Sequence, residues 1–321
     1  MISHLFAIVI AYLLDKWIGD PKNFPHPVRW MGRVISLFER KWNNGQRKKI
    51  KGFFMILTTV FIFVFITFII VRFAYQIHLL VGIMVESVII TFMIAEKSLK
   101  EAAMEVYNPL KKGDLKEARL KLSYIVGRDT NDLSESEIVR GTVETVAENT
   151  SDSVTAPLFW ALIGGAPFAV LYRVVNTSDA MVGYKLEKYK EFGFFSAKLD
   201  DLLNWIPSRL TAFFMILANA HYLNVSLRSC FHIVLRDAKK HPSPNSGFPE
   251  SAMAALLKVQ LGGMNRYKGM ISNRAKLGDP IVSLKAEHIE QSNFIMVRTN
   301  LLFILMLING GVFVEATLAR L

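Results

Sequence analysis

Several signatures of familiar enzyme classes are missing from this sequence of 321 residues. Its single cysteine, Cys230, excludes an intramolecular disulfide and any metal site built from cysteine alone. Neither GxxxxGK(S/T) nor GxGxxG occurs, so a nucleotide site would be neither a P-loop nor a Rossmann turn. The HExxH motif and the GxSxG elbow, typical of zinc hydrolases and of acyl-enzyme chemistry, are absent as well. Any chemistry must therefore be carried by other patterns.

Charge is also scarce, and long apolar runs take its place. Charged residues make up 20% of the chain and hydrophobic residues 52%, with a mean hydropathy of +0.30. Residues 52–71 are twenty positions without a charge, and about 20 apolar residues cross the ~30 Å hydrocarbon core of a bilayer. The sequence therefore predicts an integral membrane protein.

Six apolar segments are candidate spans. The strong ones are residues 2–14, 52–71, 79–95 and 300–319. The weaker ones, which prolines and glycines interrupt, are residues 154–172 and 206–223. We expect an all-α, polytopic membrane protein with about four to six transmembrane or membrane-embedded helices and large helical cytoplasmic loops. One membrane-embedded domain would cover residues 1–321.

The distribution of lysine and arginine predicts the orientation. The loop 15–51 holds ten of them and the loop 224–298 eleven, whereas 72–78 holds only Arg72. The positive-inside rule places both basic loops in the cytoplasm, so both weaker segments cross the membrane or neither does. We favour the second case, with broken or re-entrant pieces buried by protein. The net charge of +11 is then explained by basic loops retained on the cytoplasmic side and attracted to anionic lipid, rather than by binding of nucleic acid.

The polar loops have helical periodicity. Residues 97–125 place apolar side chains mostly three and four positions apart, with breaks at Pro109 and Gly113. Residues 134–147 begin with Ser134 and Glu137 at the spacing of a capping box. No stretch is rich in strand-forming patterns, so helices alone are expected.

A first polar cluster lies where the first span meets the cytoplasm. It contains Asp15, Asp20, His26 and Arg29. Carboxylates in this position can hold Mg²⁺, and an arginine can bind a phosphate through two N–H groups. An interfacial turn with snorkelling side chains is the alternative interpretation.

A second cluster combines Arg128 with a stripe of charges. Arg140, Glu144, Glu148 and Asp152 recur every four residues, on one face if the helix continues. Like charges at this spacing repel by a few tenths of a kcal/mol. A divalent cation or a cationic substrate would offset that repulsion. A solvated helix face is the alternative.

A third cluster surrounds the weaker apolar segments. Its members are Arg173, Asn176, Asp179, Lys198, Asp200, Asp201 and Arg209. Placing two adjacent carboxylates and their flanking cations beside an apolar segment costs free energy. A functional role is therefore favoured over a set of surface charges without function.

A fourth cluster contains Arg236, His241, Asn245 and Glu250. The Pro, Ser, Asn and Gly residues around them predict a rigid loop that can present backbone N–H groups to an anion. A linker without function is equally compatible with this composition.

Taken together, the clusters resemble the adenosylcobinamide-phosphate synthases, also called cobinamide synthases, of cobalamin biosynthesis. The resemblance rests on seven motifs in order along nearly the whole chain. They are LDKWIGDP with HPVR (14–29), VGRDT (126–130), VETVAENTSD (143–152), APLFW (156–160), YRVVNTSDAMVGY (172–184), AKLDDLLNWIPSRLTA (197–212) and RDAKKHPSPNSGFPESAMA (236–254).

The resemblance implies a ligase of the cytoplasmic membrane. It would join the f-propionate carboxylate of adenosylcobyric acid, a corrinoid, to (R)-1-aminopropan-2-ol or its O-phosphate, with ATP as cosubstrate and Mg²⁺ as cofactor. ADP and phosphate would be released, because a carboxylate acylates an amine only after activation, here as an acyl phosphate. Ethanolamine remains an alternative amine.

Roles follow from this expected reaction. Candidate metal ligands are Glu144, Glu148 and Asp152, with Asp15 and Asp20 of the first cluster. Asp200 and Asp201 are second candidates for the metal and, with His26 and His241 as proton acceptors, the expected catalytic groups. Candidate binding groups for substrate and phosphate are Arg29, Arg128, Arg173, Asn176, Asp179, Lys198, Arg209, Arg236, Asn245 and Glu250. Trp160 and Trp205 are candidates for contact with the corrinoid.

Two other functions remain open. A transporter for a corrinoid or a small polar solute would use the broken segments as half-helices around a site at the membrane midplane. A scaffold for other corrinoid enzymes would carry no chemistry of its own. Transport without ATP turnover would support the transporter. Loss of product formation in Glu148→Gln, with folding and assembly intact, would argue against the scaffold.

Overall fold

The structure is a computed structural model that describes residues 2–20, 26–184 and 186–318. Residues 21–25 of the first motif and residue 319 of the last predicted span lie outside the described residues. The helices are α1 (Ile2–Ile18), α2 (Pro27–Trp42), α3 (Lys48–Ile77), α4 (Leu79–Thr91), α5 (Glu96–Lys111), α6 (Leu115–Ser123), α7 (Glu135–Thr150), α8 (Ala156–Val182), α9 (Phe194–Leu203), α10 (Trp205–Asn219), α11 (Leu227–Asp237), α12 (Gly247–Leu257) and α13 (Glu287–Leu318). A π-turn (Ser151–Thr155) joins α7 to α8, and the strands are β1 (Leu261–Tyr267) and β2 (Met270–Leu277).

Long apolar helices confirm the predicted class of membrane protein. Within the described residues, four helical stretches have the length and composition to cross a membrane: Lys48–Ile77, Leu79–Lys111, Glu135–Val182 and Glu287–Phe313. The weaker segment 206–223 is not among them. Its helix α10 has 15 residues, about 22 Å at 1.5 Å per residue, which is too short to cross the hydrocarbon core.

The third of these stretches reverses direction and is not one straight span. Gly164 and Gly165 have non-helical backbone angles inside α8. Ser153 and Arg173 line the same cavity, although a straight helix would hold residues this far apart in sequence about 30 Å from each other. Residues 153–182 therefore form a helical hairpin with its tip at the two glycines, as expected for a broken, re-entrant segment.

The chain after this hairpin returns to the side of the bundle where α2 lies. Nζ of Lys188 is 2.8 Å from a carboxylate oxygen of Glu39, and the Asn43 amide donates to the carbonyl of Lys188 at 3.1 Å. Met181 likewise packs beside Gly32 of α2. Residues 181 and 188 thus lie beside α2 and the residue that follows it. That neither weaker segment crosses the membrane stays a prediction.

The chain divides into two compact units. Unit 1 contains residues 1–95, 153–204 and 304–321, and unit 2 contains residues 96–152 and 205–303. In unit 1, α1 packs against α4, α3 packs against α4 and α8, and Thr91 donates to the carbonyl of Ala11 at 3.3 Å. The single domain expected from the sequence stays a prediction.

Unit 2 is built on a helical core. Small and branched apolar side chains of α5, α6, α7, α10, α11 and α12 form it, among them Val106, Leu122, Val143, Met215 and Met253. The predicted helices in 97–125 and 134–147 are confirmed: α5 and α6 are separated at Gly113, and Ser134 with Glu137 makes the capping box at the start of α7.

The predicted all-α class is confirmed, and the one departure from helices among the described residues is an antiparallel hairpin of β1 and β2 in unit 2. Its two turn residues, Lys268 and Gly269, both have positive φ, the backbone of a type I′ turn. The hairpin could not be predicted from the sequence for two reasons. Lys-Gly is a weaker turn signal than Asn-Gly, and Gly262 and Gly263 interrupt the alternation of apolar and polar residues in β1.

Candidate functional site

Residues of two predicted clusters meet in one cavity of unit 1. The cavity has a volume of about 320 Å³ and is lined by Asp20, His26, Val28, Arg29, Phe92, Ile94, Ala95, Ser153 and Arg173. Four of these are predicted site residues: an acid, a histidine and two arginines. They come from the segment before α2, from α2 itself and from the returning arm of the α8 hairpin. Two guanidinium groups in one concave site suit an anionic ligand.

His26 is fixed by two contacts at the start of α2. Its Nδ1 accepts a hydrogen bond from the backbone N–H of Val28 at 3.3 Å, which makes the imidazole the N-cap of the helix. Its Nε2 lies 3.1 Å from Oδ1 of Asp20. Because Nδ1 accepts, Nε2 carries the proton of the neutral ring and donates it to Asp20. To accept a proton at Nδ1, His26 would have to lose the hydrogen bond from the Val28 N–H that caps α2.

Asp200 joins the end of the hairpin to α9. Its two oxygens accept from the amides of Asn176 at 3.2 Å and Asn204 at 3.1 Å, and Tyr172 donates to the Asn204 carbonyl oxygen at 2.8 Å. The neighbouring Asp201 is instead 3.4 Å from the exposed ammonium of Lys198. The two carboxylates thus have different surroundings, one positioned by amides and one facing a surface cation.

The other predicted residues of unit 1 have separate positions. Asp15 is buried in α1, and Asp179 lies in the last turn of α8, where its carboxylate packs against Gly183. Trp160 donates its indole N–H to the carbonyl of Leu203 at 3.1 Å. Its predicted contact with a corrinoid stays a prediction.

A buried polar core in unit 2 is centred on Glu144 of α7. One carboxylate oxygen pairs with Arg128, and the other accepts the backbone N–H of Gly262 at 2.8 Å. Asn265 accepts from Arg128 at 2.7 Å and from Arg140 at 3.0 Å. Burial opposes the charge of Arg128, but the adjacent Glu144 carboxylate holds the pKa of its guanidinium above the usual range.

This core could be predicted only in part. Arg128, Arg140 and Glu144 were found by their charge and spacing, whereas Gly262 and Asn265 belong to the unexpected strand β1. The Gly-Gly pair at the start of β1 was the available signal, because glycine often marks a place where another group approaches the backbone closely.

A second part of unit 2 brings Glu148, His241 and Glu250 together. Glu148 accepts from the Ser246 hydroxyl at 2.7 Å, and Nε2 of His241 lies 3.6 Å from Oε1 of Glu250. Burial raises the pKa of Glu250 well above its usual range, and the charges of Glu144 and Glu148 raise it further. Burial lowers the pKa of His241. Burial thus disfavours the charged form of both side chains.

The His241 ring can adopt either neutral tautomer. Its Nδ1 accepts from the Ser243 N–H at 3.1 Å or donates to the Ser243 carbonyl at 3.3 Å. Nε2, which has no hydrogen-bond partner among the described residues, can therefore face Glu250 as a donor or as an acceptor. At 3.6 Å, Nε2 of His241 and Oε1 of Glu250 are neighbours but are not hydrogen-bonded to each other.

Arg209 is fixed by aromatic rings and an amide. It stacks on Trp205, with 4.5 Å from the guanidinium carbon to the ring centroid, and on Phe248 at 4.2 Å. It also donates to the side-chain oxygen of Asn245 at 3.3 Å. Trp205, which was predicted to contact the corrinoid, thus has an internal partner.

Arg236 lies in an ion-pair network that the sequence did not reveal. It is 2.6 Å from Asp237 and 2.9 Å from Asp279, and Asp237 also binds Lys240 at 2.7 Å and the N–H of Gly278 at 2.9 Å. Although burial opposes ionisation, these partners hold the pKa of Asp237 below its usual range. The two carboxylates compensate the charge of Arg236, so its phosphate-binding role stays a prediction.

The acids of the predicted stripe, Glu144, Glu148 and Asp152, could supply only some of the ligands of a Mg²⁺ ion. Among the described residues, no group of three His, Cys, Asp or Glu side chains is placed to hold a metal ion. Glu144 is occupied by protein donors, and Asp152 lies in the π-turn beyond α7. Oε2 of Glu148 has no hydrogen bond from a described residue. Mg²⁺ commonly binds one or two carboxylates together with water and substrate phosphates, and Glu148 fits that mode best.

These features define a helical, polytopic membrane protein with buried clusters of acids, arginines and a histidine. The chain belongs to the CobD/Cbib protein family, whose model matches residues 8–296. It is 54% identical to the cobalamin biosynthesis protein CobD of Halalkalibacterium halodurans over 313 residues, 98% of each chain.

Other relatives extend across nearly the same length. The cobalamin biosynthesis protein CobD of Clostridium perfringens is 47% identical over 91% of this chain and 93% of its own. That of Leptospira interrogans serogroup Icterohaemorrhagiae is 40% identical over 96% and 99%, respectively. No solved structure gives a significant match.

Proposed function

We propose that the protein is the ATP-dependent ligase of cobalamin biosynthesis that joins aminopropanol, or its O-phosphate, to the f-propionate of adenosylcobyric acid. The relatives' shared name supports the pathway. The observation that supports ligase chemistry is the group formed by Glu148, His241 and Glu250. It combines a carboxylate for a metal–nucleotide complex with a histidine as proton acceptor, beside a buried carboxyl group.

The chemistry sets three demands on the protein. The substrate carboxylate attacks the γ-phosphorus of ATP and releases ADP, and the amine then displaces phosphate from the acyl phosphate. Mg²⁺ would neutralise phosphate charge during the first step, with Glu148 as its ligand. The attacking nitrogen must lose a proton, and Nε2 of His241 is the proposed acceptor, since burial lowers the pKa of its imidazole and so favours the neutral ring.

The cavity of unit 1 would hold an anionic group of a substrate. Arg29 and Arg173 provide the positive charge, and Asp20 with His26 provides a hydrogen-bonded edge. The O-phosphate of the aminopropanol and the carboxylates of the corrinoid are the anions available in the proposed reaction. We place the protein in the cytoplasmic membrane, with these loops in the cytoplasm.

Product formation by the purified protein tests this proposal. The protein would be given adenosylcobyric acid, Mg-ATP and (R)-1-aminopropan-2-ol O-phosphate, with the free amine and ethanolamine in parallel. We expect a corrinoid of the amide mass and an equal amount of ADP. Binding of the substrates without any product would contradict the ligase and support a scaffold. Loss of product in Glu148→Gln, with folding intact, would argue against the scaffold.

A transporter is the second candidate, and one observation favours it. The α8 hairpin is broken beside the buried Glu86, a combination found at the substrate sites of transporters with discontinuous helices. Uptake of labelled corrinoid into proteoliposomes without ATP hydrolysis would support transport. Amide formation in detergent, where no compartments exist, would argue against it.

A further inference from the structure

Glu86 is a carboxylate in an apolar helix. It lies in the middle of α4, and its side chain is completely buried. Ionisable groups in membrane helices are costly, and they usually face the protein interior and serve a purpose there. Glu86 belongs to none of the four polar clusters of the sequence.

Three other helices contact this carboxylate. The Tyr75 hydroxyl of α3 donates to Oε2 at 2.6 Å, and the backbone N–H of Ala166 in α8 donates to Oε1 at 2.9 Å. Nδ1 of His4 in α1 lies 2.9 Å from Oε1. One side chain of α4 thus links α1, α3 and α8.

The contact with α8 is made at the tip of the hairpin. Ala166 follows Gly165, so its N–H belongs to the first turn of the returning arm, where N–H groups lack partners within the helix. A carboxylate at that end is favoured by the hydrogen bond and by the helix dipole. Gly165 has φ +63°, and a Cβ there would overlap Oε1 of Glu86.

The arms of the hairpin lead from this tip to the cavity of unit 1. Ser153 ends one arm, and Arg173 lies two turns into the other. A helical arm is stiff, so a shift or rotation at the tip moves Arg173 with it. A separate cavity of about 440 Å³, lined in part by Glu86, Gly164 and Pro167, leaves space for the tip to shift.

We propose that Glu86 is a positioning residue, which holds the tip of the hairpin and thereby places Arg173 in the cavity. The activity readout of this proposal rests on the proposed ligase function, whereas its structural readout does not. Glu86 touches no substrate in this account and acts only through the hairpin.

The structural test uses a spin label at the tip. The label is attached at Ile163→Cys, an exposed position, in a Cys230→Ser background that removes the single native cysteine. In the full-length protein we expect Glu86→Ala to increase the mobility of the label. Glu86→Gln should largely preserve the native spectrum, because its carbonyl oxygen still accepts from Ala166.

The kinetic test uses the same substitutions at Glu86. Misplacement of a substrate-positioning group by about 1 Å can cost about a hundredfold in rate, so Glu86→Ala should lower kcat/KM to that extent, whereas Glu86→Gln should stay within about tenfold of wild type. The matched control is Thr59→Val. Thr59 is also a buried polar residue of a membrane helix, but its hydroxyl donates only to the carbonyl of Met55 in its own helix.

A second variant covers the case in which Glu86→Ala does not fold. Gly165→Ala leaves Glu86 intact and pushes the tip away from it, so it should mobilise the label in the same way. An immobile label in both Glu86→Ala and Gly165→Ala, equal to that of Thr59→Val, would overturn the proposal. If the wild type lacks ligase activity, the ligase proposal fails. The positioning role of Glu86 is then tested by the mobility of the spin label alone.

Discussion

The polar sites of the two units are built differently. In unit 2, Glu144 has protein donors on both oxygens, and Arg128 is paired in the buried core. In unit 1, Arg29 and Arg173 line a cavity that has room for a ligand. The paired charges of the unit 2 core hold the fold, whereas we propose that the charges in the unit 1 cavity serve binding. Substitutions should therefore separate loss of stability from loss of affinity.

The largest effect is expected from breaking the core of unit 2. Arg128→Met removes the cation bonded to the buried Glu144 and leaves only Arg140, whose Nε lies 3.8 Å from the other oxygen. Removing one partner of a buried pair costs up to about 3–5 kcal/mol of unfolding free energy. The double variant Arg128→Met with Glu144→Gln should recover much of this loss, because the buried charge is gone and Gln still accepts from Gly262. Thermal unfolding in detergent measures both.

The control for this prediction is an ion pair of the same unit at the surface. Lys121 is 3.8 Å from Glu117, and both side chains are partly exposed. Glu117→Ala should cost less than about 1 kcal/mol, as is usual for such pairs. If Arg128→Met were as stable as Glu117→Ala, the buried ion pair would contribute no more to stability than a surface pair. That result would contradict the structural role given to the charges of unit 2.

The next effect depends on pH. Since the pKa of Glu250 is raised in the folded protein, folding favours its protonated form, and stability falls as pH rises from about 4.3 towards the folded pKa. Glu250→Gln lacks this titration, so its stability relative to wild type should increase by up to about 1.4 kcal/mol per pH unit. Melting curves between pH 5 and 8 (roughly the range where Glu is ionised when unfolded) test this, and parallel curves would contradict it.

Asp237 should show the opposite sign with a smaller effect. Its folded pKa is lowered, so its contribution is present above about pH 4 and is lost as pH falls through the folded pKa. Asp237→Asn should cost about 1–2 kcal/mol at pH 7, because a charge-assisted bond is weakened and two cations lose their partner. The cost should shrink as pH falls well below about 4, and a cost undiminished at about pH 2 would argue against ionisation as its cause.

The smallest effect on stability is expected in unit 1. Arg29 is exposed in the structure, so Arg29→Gln should leave the melting temperature within about 1 °C, because surface substitutions usually change stability by less than ~0.5 kcal/mol. The KM for the anionic substrate should rise about tenfold, since a lost charge-assisted contact is worth about 1.5 kcal/mol. A lower melting temperature with an unchanged KM would show that this arginine serves the fold.

Features with a strong periodic or compositional signal could be predicted from the sequence. The charge-free run within α3, the capping box of α7 and the break at Gly113 were local patterns, and each has its expected structural counterpart. The break expected at Pro109 is wrong, because α5 continues through it to Lys111. The break at Gly164 and Gly165 was also visible, because glycines and prolines interrupt an apolar run there.

Features that depend on distant residues could not be predicted. Asn265 and Gly262 complete the core around Glu144 from a hairpin whose strands alternate poorly. Asp279 pairs with Arg236 across more than forty residues, and Ala166 meets Glu86 across eighty. No local pattern encodes such pairs. The site residues were therefore identified by charge and motif, while their partners required the structure.

The central claim is that the protein activates a corrinoid carboxylate with ATP before an amine attacks it. Transfer of an oxygen isotope tests it most directly: adenosylcobyric acid labelled with ¹⁸O in the f-propionate carboxylate is converted in the presence of Mg-ATP and the amine. The account predicts one ¹⁸O atom in the inorganic phosphate released with each amide formed. Amide formation with unlabelled phosphate, or without ATP turnover, would contradict it.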